Sequence, residues 1–200
     1  MSTPIHVRNY DCQAFAEDDG RMRVKGRLVD TKPHGLARAD GSPLTIHDMV
    51  IELFVAMPGF VIDEVRVTMN VHPYGQCTAV LDDYQQLVGL SITRGYSRQV
   101  RELFGGPNGC SHVGALLQAL GPVAVQASWS LLSLDDELST WVEPSSDPAE
   151  RERRARLNTN TCHVWTEGGE HVTAVALGET RRPGWERDRL ADLGFDPDQG

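Results

Sequence analysis

Between Ile46 and Val55 apolar and polar positions alternate. His47, Met49, Ile51, Leu53 and Val55 fall on one face of a strand, and Asp48, Val50, Glu52 and Phe54 on the other. A second alternation runs from Phe60 to Val71. Val61, Asp63, Val65, Val67, Met69 and Val71 point one way, and Ile62, Glu64, Arg66, Thr68 and Asn70 the other. Ala56-Met-Pro-Gly59 between the runs is a turn signal, so the pair predicts a β-hairpin. The earlier run Arg21 to Asp30 reads as a third strand, ahead of a loop rich in Pro and Gly, and an antiparallel meander is expected.

Beyond residue 80 the period lengthens. Asp82 to Val88 and Ser97 to Phe104 predict short helices, and Gly105-Gly-Pro-Asn-Gly109 is a break. From Ser111 a long helix is expected, with Val113, Leu116, Leu117, Leu120, Val123, Ala127 and Leu131 at three- and four-residue spacing. Gly121-Pro122 predicts a bend or split in it. The polar stretch 143–150 and the basic run 151–156 read as an exposed loop or a short solvated helix. Cys162 to Trp165 and His171 to Val175 flank Glu167-Gly-Gly-Glu170, which predicts a terminal hairpin. The expected fold is α+β: an antiparallel β-meander with a C-terminal hairpin, packed against a helical segment with one long, kinked helix. Residues 1–180 are expected to form one domain, and 181–200 a polar, flexible tail.

Composition narrows the function classes. With 40% hydrophobic and 24% charged residues in 200, the chain is expected to be globular. Lys and Arg number 19 against 28 Asp and Glu, a net charge of −9, which argues against a nucleic-acid partner. The first residues lack the apolar core of a signal peptide. No apolar run reaches the ~18–20 residues of a membrane span, so neither a membrane partner nor export is expected. A cytoplasmic location follows, with the four cysteines reduced. No Walker lysine or GxGxxG follows a strand, so nucleotide chemistry is not indicated.

The candidate chemistry lies where cysteine and histidine cluster. Cys110-Ser-His112 opens the long helix, where free N–H groups and the helix dipole favour an anion. Cys110 is a candidate nucleophile, with His112 or another histidine as base. The plainer reading is a small buried residue followed by a helix cap. His47, on an apolar strand face, suits a general base set by burial, or a hydrogen-bonded core histidine. Its neighbour Asp48 points to the opposite face unless the strand bulges.

His72-Pro-Tyr-Gly-Gln-Cys77 ends a strand, and Tyr74 there is either a phenol at a pocket mouth or turn punctuation. Arg94, Arg98 and Arg101 reverse the local charge and are candidates for holding an anionic substrate, with Asp48 and His163 as further contacts. Ordinary solvated arginines are the bland reading. Lys32, before Pro33, is expected to be unremarkable.

Taken in order, Asp30-Thr-Lys32, Ile46-His-Asp-Met49, Pro73-Tyr-Gly-Gln-Cys77, Gly106 and Gly109-Cys-Ser-His112 resemble the bacterial domain-of-unknown-function 2889 family, over residues 5 to 175. The resemblance implies a small cytoplasmic protein associated with breakdown of aromatic or other recalcitrant compounds. More specifically, it implies a carbon–carbon lyase that releases formaldehyde from lignin-type compounds. It carries no family catalytic residues with it.

Three readings follow. The first is a metal-free lyase without cofactor, acting on a small molecule through His47, Tyr74, His112 and Cys110. The second is a hydrolase or lyase using a divalent metal such as zinc, held by His47, Cys110, His112 and His163. The third is a non-catalytic small-molecule-binding module. A homodimer is compatible with all three.

Overall fold

The computed structural model describes residues 2–34, 38–134, 147–149, 152, 156, 158–179, 184–194 and 196. Most of the polar stretch 143–150 and of the basic run 151–156 lies outside them. The chain divides into two compact units, residues 1–132 and 133–200.

The first unit is built on a four-stranded antiparallel meander in the order β1 (Val7–Ala16), β2 (Met22–Lys32), β3 (Leu44–Ala56) and β4 (Val61–Val71). In β2 the period of two is strict on the inner face. Met22, Val24, Gly26 and Leu28 are buried, and the row ends in a buried carboxylate, Asp30. Met49, Ile51, Leu53 and Val55 supply the inner face of β3, with His47 at the end of their row. The edge strand β1 turns only Cys12 and Ala14 onto this core.

The inner face of β4 is not the predicted one throughout. Val65 and Met69 are buried as expected, but Ile62 is buried whereas Val61 and Asp63 are exposed. The cause lies in the pairing: Phe54 opposes Glu64 and Val55 opposes Ile62, so Asp63 is an extra residue. One such bulge transfers every residue before it to the opposite face.

Two 3-10 segments follow, Gly75–Val80 and Asp82–Leu87, then helix α1 (Tyr96–Phe104) and helix α2 (Ser111–Leu134). Val113, Leu116, Leu117, Leu120 and Ala124 of α2 are fully buried, consistent with the three- and four-residue spacing. The helix crosses β2 at Gly26, where a Cβ would come within 2.8 Å of Leu116 Cδ1 and 2.9 Å of Leu120 Cδ2. Glycine here permits contact between helix and strand. The helix is not split at Gly121-Pro122 and continues through Pro122. That proline has no N–H to donate to the carbonyl of Gln118. Gly121 serves packing instead: a Cβ there would lie 3.1 Å from the Tyr96 ring of α1.

The outer sheet face is charged and paired with itself. Phe54 lies between the guanidinium groups of Arg21 and Arg66, at 4.7 and 4.5 Å, and Arg23 covers Phe15 at 4.1 Å. Arg23 also donates to Glu17 and Glu52.

In the second unit the terminal hairpin is replaced by helical turns. His163–Trp165 is a 3-10 turn, followed by α3 (Glu170–Ala176) and α4 (Gly184–Asp192). The backbone bonds locally rather than across a ladder. The N–H of Asn160 donates to the Trp165 carbonyl at 2.7 Å, and Glu167 N–H donates to Asn160 Oδ1 at 3.0 Å. Glu170 in the first turn of α3 complements the helix dipole, which favours a helix over a strand at that point. Among the described residues no helix is long and apolar enough to cross a membrane.

The crossing at Gly26 is open to test. Gly26→Val is expected to destabilise the protein by about 1–3 kcal/mol through overpacking. A urea midpoint equal to the wild type's would show that α2 does not rest on this glycine.

Candidate functional site

Antiparallel register places Arg8, Asp30 and His47 in one row across three strands, since Arg8 pairs with Asp30 and Asp30 with His47. All three lie on the face that carries the core, at the end of the sheet. There the first turn of α2 brings His112 over them, one turn before Leu116 and its contact with Gly26. Four elements therefore meet at one carboxylate.

The Asp30 side chain is 1% exposed. Arg8 Nε donates to Oδ1 and an Arg8 terminal nitrogen to Oδ2, both at 2.7 Å. His47 Nδ1 lies 3.0 Å from Oδ2, and His6 Nε2 lies 3.2 Å from Oδ1. His112 Nε2 faces Oδ2 at 3.3 Å. The rings of His47 and His112 stack with centroids 3.7 Å apart. Burial falls away from the carboxylate: side-chain exposure is 13% for His47, 19% for His112, 35% for Arg8 and 37% for His6. The cluster is thus open to solvent on its Arg8 and His6 side.

Arg8 holds the Asp30 carboxyl well below the usual carboxylate range, and the hydrogen bonds from His47 and His6 add to this against the effect of burial. An ionised carboxylate requires donors. His47 therefore carries its hydrogen on Nδ1, which leaves the Nε2 lone pair as a proton acceptor. His112 Nε2 meets Asp30 Oδ2 as a charge contact without hydrogen-bond geometry, and its Nδ1 lies 3.6 Å from Cys110 Sγ. Burial pushes the pKa of His112 down, and the nearby His47, Arg8 and His6 push the same way, while Asp30 opposes. At His112 a neutral imidazole is thereby favoured beside the carboxylate.

Asp30, His47 and His112 bring three donor atoms within 4.8 Å of one another, a separation that would suit a metal ion. Both Asp30 oxygens already accept hydrogen bonds from the Arg8 guanidinium. A cation at this point would compete with that group.

Of the residues singled out in the sequence, His47, His112 and Cys110 come together. Tyr74 lies at the start of a 3-10 segment, 70% exposed, and its backbone carbonyl faces His72 Nδ1 at 2.8 Å. Asp48 occupies the opposite sheet face, where Arg27 donates to both its oxygens at 2.8 and 2.7 Å. Arg94 is exposed before α1, and Arg98, exposed on α1, faces Glu102 at 3.8 Å. His163 belongs to the second unit. Lys32 ends β2 rather than lying in a loop.

Sequence reasoning passed over Asp30 as a site residue, and Arg8 and His6 altogether. A signal for Asp30 was present: it continues the inward row Met22, Val24, Gly26, Leu28. A carboxylate at a core position must find partners.

These features define an α+β protein whose core ends in a carboxylate shared by three imidazoles and a guanidinium. The chain belongs to the family described as proteins of unknown function, DUF2889, whose model matches residues 6–126, more than half the chain and all of this cluster. No curated protein and no solved structure matches it.

The electrostatics predict a specific pH response. Asp30 has a depressed folded pKa, so its stabilisation is complete above the ordinary carboxylate value near ~4 and is lost as the pH falls below it. His112, also depressed, costs stability as the pH falls below the ordinary histidine value of ~6.5, where the unfolded chain takes the proton first. Stability is therefore expected to decline from pH ~7 toward acid, and Asp30→Asn is expected to flatten the lower part of that decline. In the same variant the His112 ring should titrate at still lower pH, because the charge that raised its pKa is gone. NMR titration of the ring reads this directly, and an upward movement would contradict the assignment.

Proposed function

We propose that the chain is a small-molecule enzyme whose general base is His47, held by Asp30. The observation that carries this reading is the 3.0 Å contact of His47 Nδ1 with a carboxylate that is 1% exposed. That contact fixes ring orientation and tautomer, as a carboxylate does for a catalytic histidine. Among the described residues His47 Nε2 makes no hydrogen bond, so it is available to a substrate proton.

The reaction class that the family resemblance implies, formaldehyde release from an aromatic compound, fits such a base. His47 Nε2 takes the proton of a hydroxymethyl group. The oxygen pair becomes the carbonyl of formaldehyde as the carbon–carbon bond breaks, and the bond pair stays on the aromatic fragment. The proton is then returned from His47 to that carbon. The positive charge of Arg8, two strands away across Asp30, favours the anionic intermediate. The likeness to a lyase rests on the resemblance alone, whereas the base and its carboxylate rest on the geometry.

A lignin-type diaryl compound bearing a hydroxymethyl group is the substrate to test, with formaldehyde measured as product. His47→Ala is expected to lower turnover about 100- to 10,000-fold, the usual worth of a positioned base. Activity should persist in the presence of a chelator. Turnover that survives His47→Ala would overturn the base. Activity abolished by chelation and restored by zinc would replace this reading with a metal centre. Retention of the compound without product would identify a binding module.

A further inference from the structure

We propose that Cys110 is a nucleophile toward electrophilic carbonyl compounds, activated by His112 and Asp30. The thiol, His112 Nδ1, His112 Nε2 and Asp30 Oδ2 form one line of contacts, at 3.6 Å for the first and 3.3 Å for the last. Nucleophile, base and orienting carboxylate stand in the order that acyl-transfer triads use on unrelated folds. The 3.6 Å contact sets His112 Nδ1 against the thiol, where its lone pair accepts the thiol proton when that nitrogen is unprotonated. This outlet is distinct from that of His47, whose Nε2 makes no hydrogen bond among the described residues.

The surroundings hold Cys110 in place. Its N–H donates to Tyr84 Oη at 2.9 Å, and Tyr84 is fully buried, with its phenol pushed up to about 12 by that burial. Tyr84 is a positioning residue. The Cys110 carbonyl accepts the Gly114 N–H at 2.8 Å and so starts α2. The preceding Gly109 has no room for a side chain, since a Cβ would lie 2.8 Å from the Phe104 carbonyl oxygen. The N–H groups of Ser111, His112 and Val113, in the first turn of α2, have no acceptor outside the helix among the described residues. They belong to the residues immediately after the thiol, and a helix start favours developing negative charge.

In the chemical step the thiol proton passes to His112 Nδ1 as sulfur attacks the carbonyl carbon. A C–S bond forms, and the C=O π pair moves to oxygen. With an aldehyde, the oxygen takes the proton back from His112, giving a hemithioacetal with nothing else consumed. With an ester, the oxygen pair re-forms the carbonyl, the alkoxide leaves with the His112 proton, and an acyl-thiol remains.

The four cysteines of the chain supply an internal control. Cys162 is exposed and Cys110 half-buried, so accessibility alone makes Cys162 the faster to react with iodoacetamide. The proposal expects Cys110 to be alkylated at least ~10-fold faster than Cys162, as read by peptide mass spectrometry. His112→Gln is expected to remove that advantage and leave Cys162 unchanged, with circular dichroism confirming the fold. The alkylation rate is read without any hydroxymethyl substrate, so failure of this proposal is distinguishable from failure of His47 as base, which is read by formaldehyde release. Protection of Cys110 by benzaldehyde identifies an aldehyde site. A one-equivalent burst of p-nitrophenolate from p-nitrophenyl acetate, with acetyl on Cys110, identifies acyl transfer. The proposal is overturned if Cys110 reacts no faster than Cys162, if folded His112→Gln keeps the fast rate, or if neither carbonyl probe engages the thiol.

Discussion

A carboxylate cannot be taken out of water without partners, and the end of this core is organised by that constraint. Asp30 occupies the inward position where β2 would otherwise continue its apolar row. Its two oxygens collect Arg8 from β1, His47 from β3, His6 from the residue before β1, and His112 from the start of α2. Each partner is fixed by structure that is otherwise apolar: the cross-strand register for Arg8 and His47, and the seating of α2 on Gly26 for His112. The packing of the core and the geometry of the cluster are therefore one arrangement.

Stability alone does not call for such a cluster. A buried ion pair recovers its desolvation cost with difficulty, and apolar residues of similar volume commonly serve as well or better. The rest of the inner face of β2 and β3 is Met, Val, Leu and Ile, apart from Gly26. A polar network at one end of an otherwise consistent core is the kind of departure found at sites kept for chemistry. Its exposure gradient, from Asp30 outward to Arg8 and His6, gives it a side from which a ligand can approach.

How much of this was legible in the sequence follows from the physics of each element. The rows of β2 and β3 and the apolar stripe of α2 are strong periodic signals; the β3 row put His47 on the apolar face, and the start of the stripe put His112 at the opening of its helix. β1 carries no comparable signal, because as an edge strand it turns only Cys12 and Ala14 inward, between polar residues. Arg8 and His6 were lost with it. The bulge at Asp63 is invisible to a fixed period of two, so Ile62 was assigned to the wrong face. Val172 and Val175, which look like strand residues, lie instead in a short helix opened by Gly169 and Glu170. The meeting of His47 with His112, far apart in the chain, depends on how α2 crosses the sheet. Only Gly26 hinted at that crossing.

The charge balance of the cluster decides which form of histidine it can use. A lone carboxylate against two imidazoles would draw a proton onto one of them and leave a cation that cannot act as a base. Arg8 prevents this. Its guanidinium already balances Asp30 through two short hydrogen bonds, and it opposes a second positive charge at His112. Burial disfavours that charge further. At His112 the attraction of Asp30 is thus outweighed, and its ring is held in the neutral form that can accept a proton. The strand register that sets Arg8 opposite Asp30 is, on this account, what makes basic imidazole available at the end of the sheet.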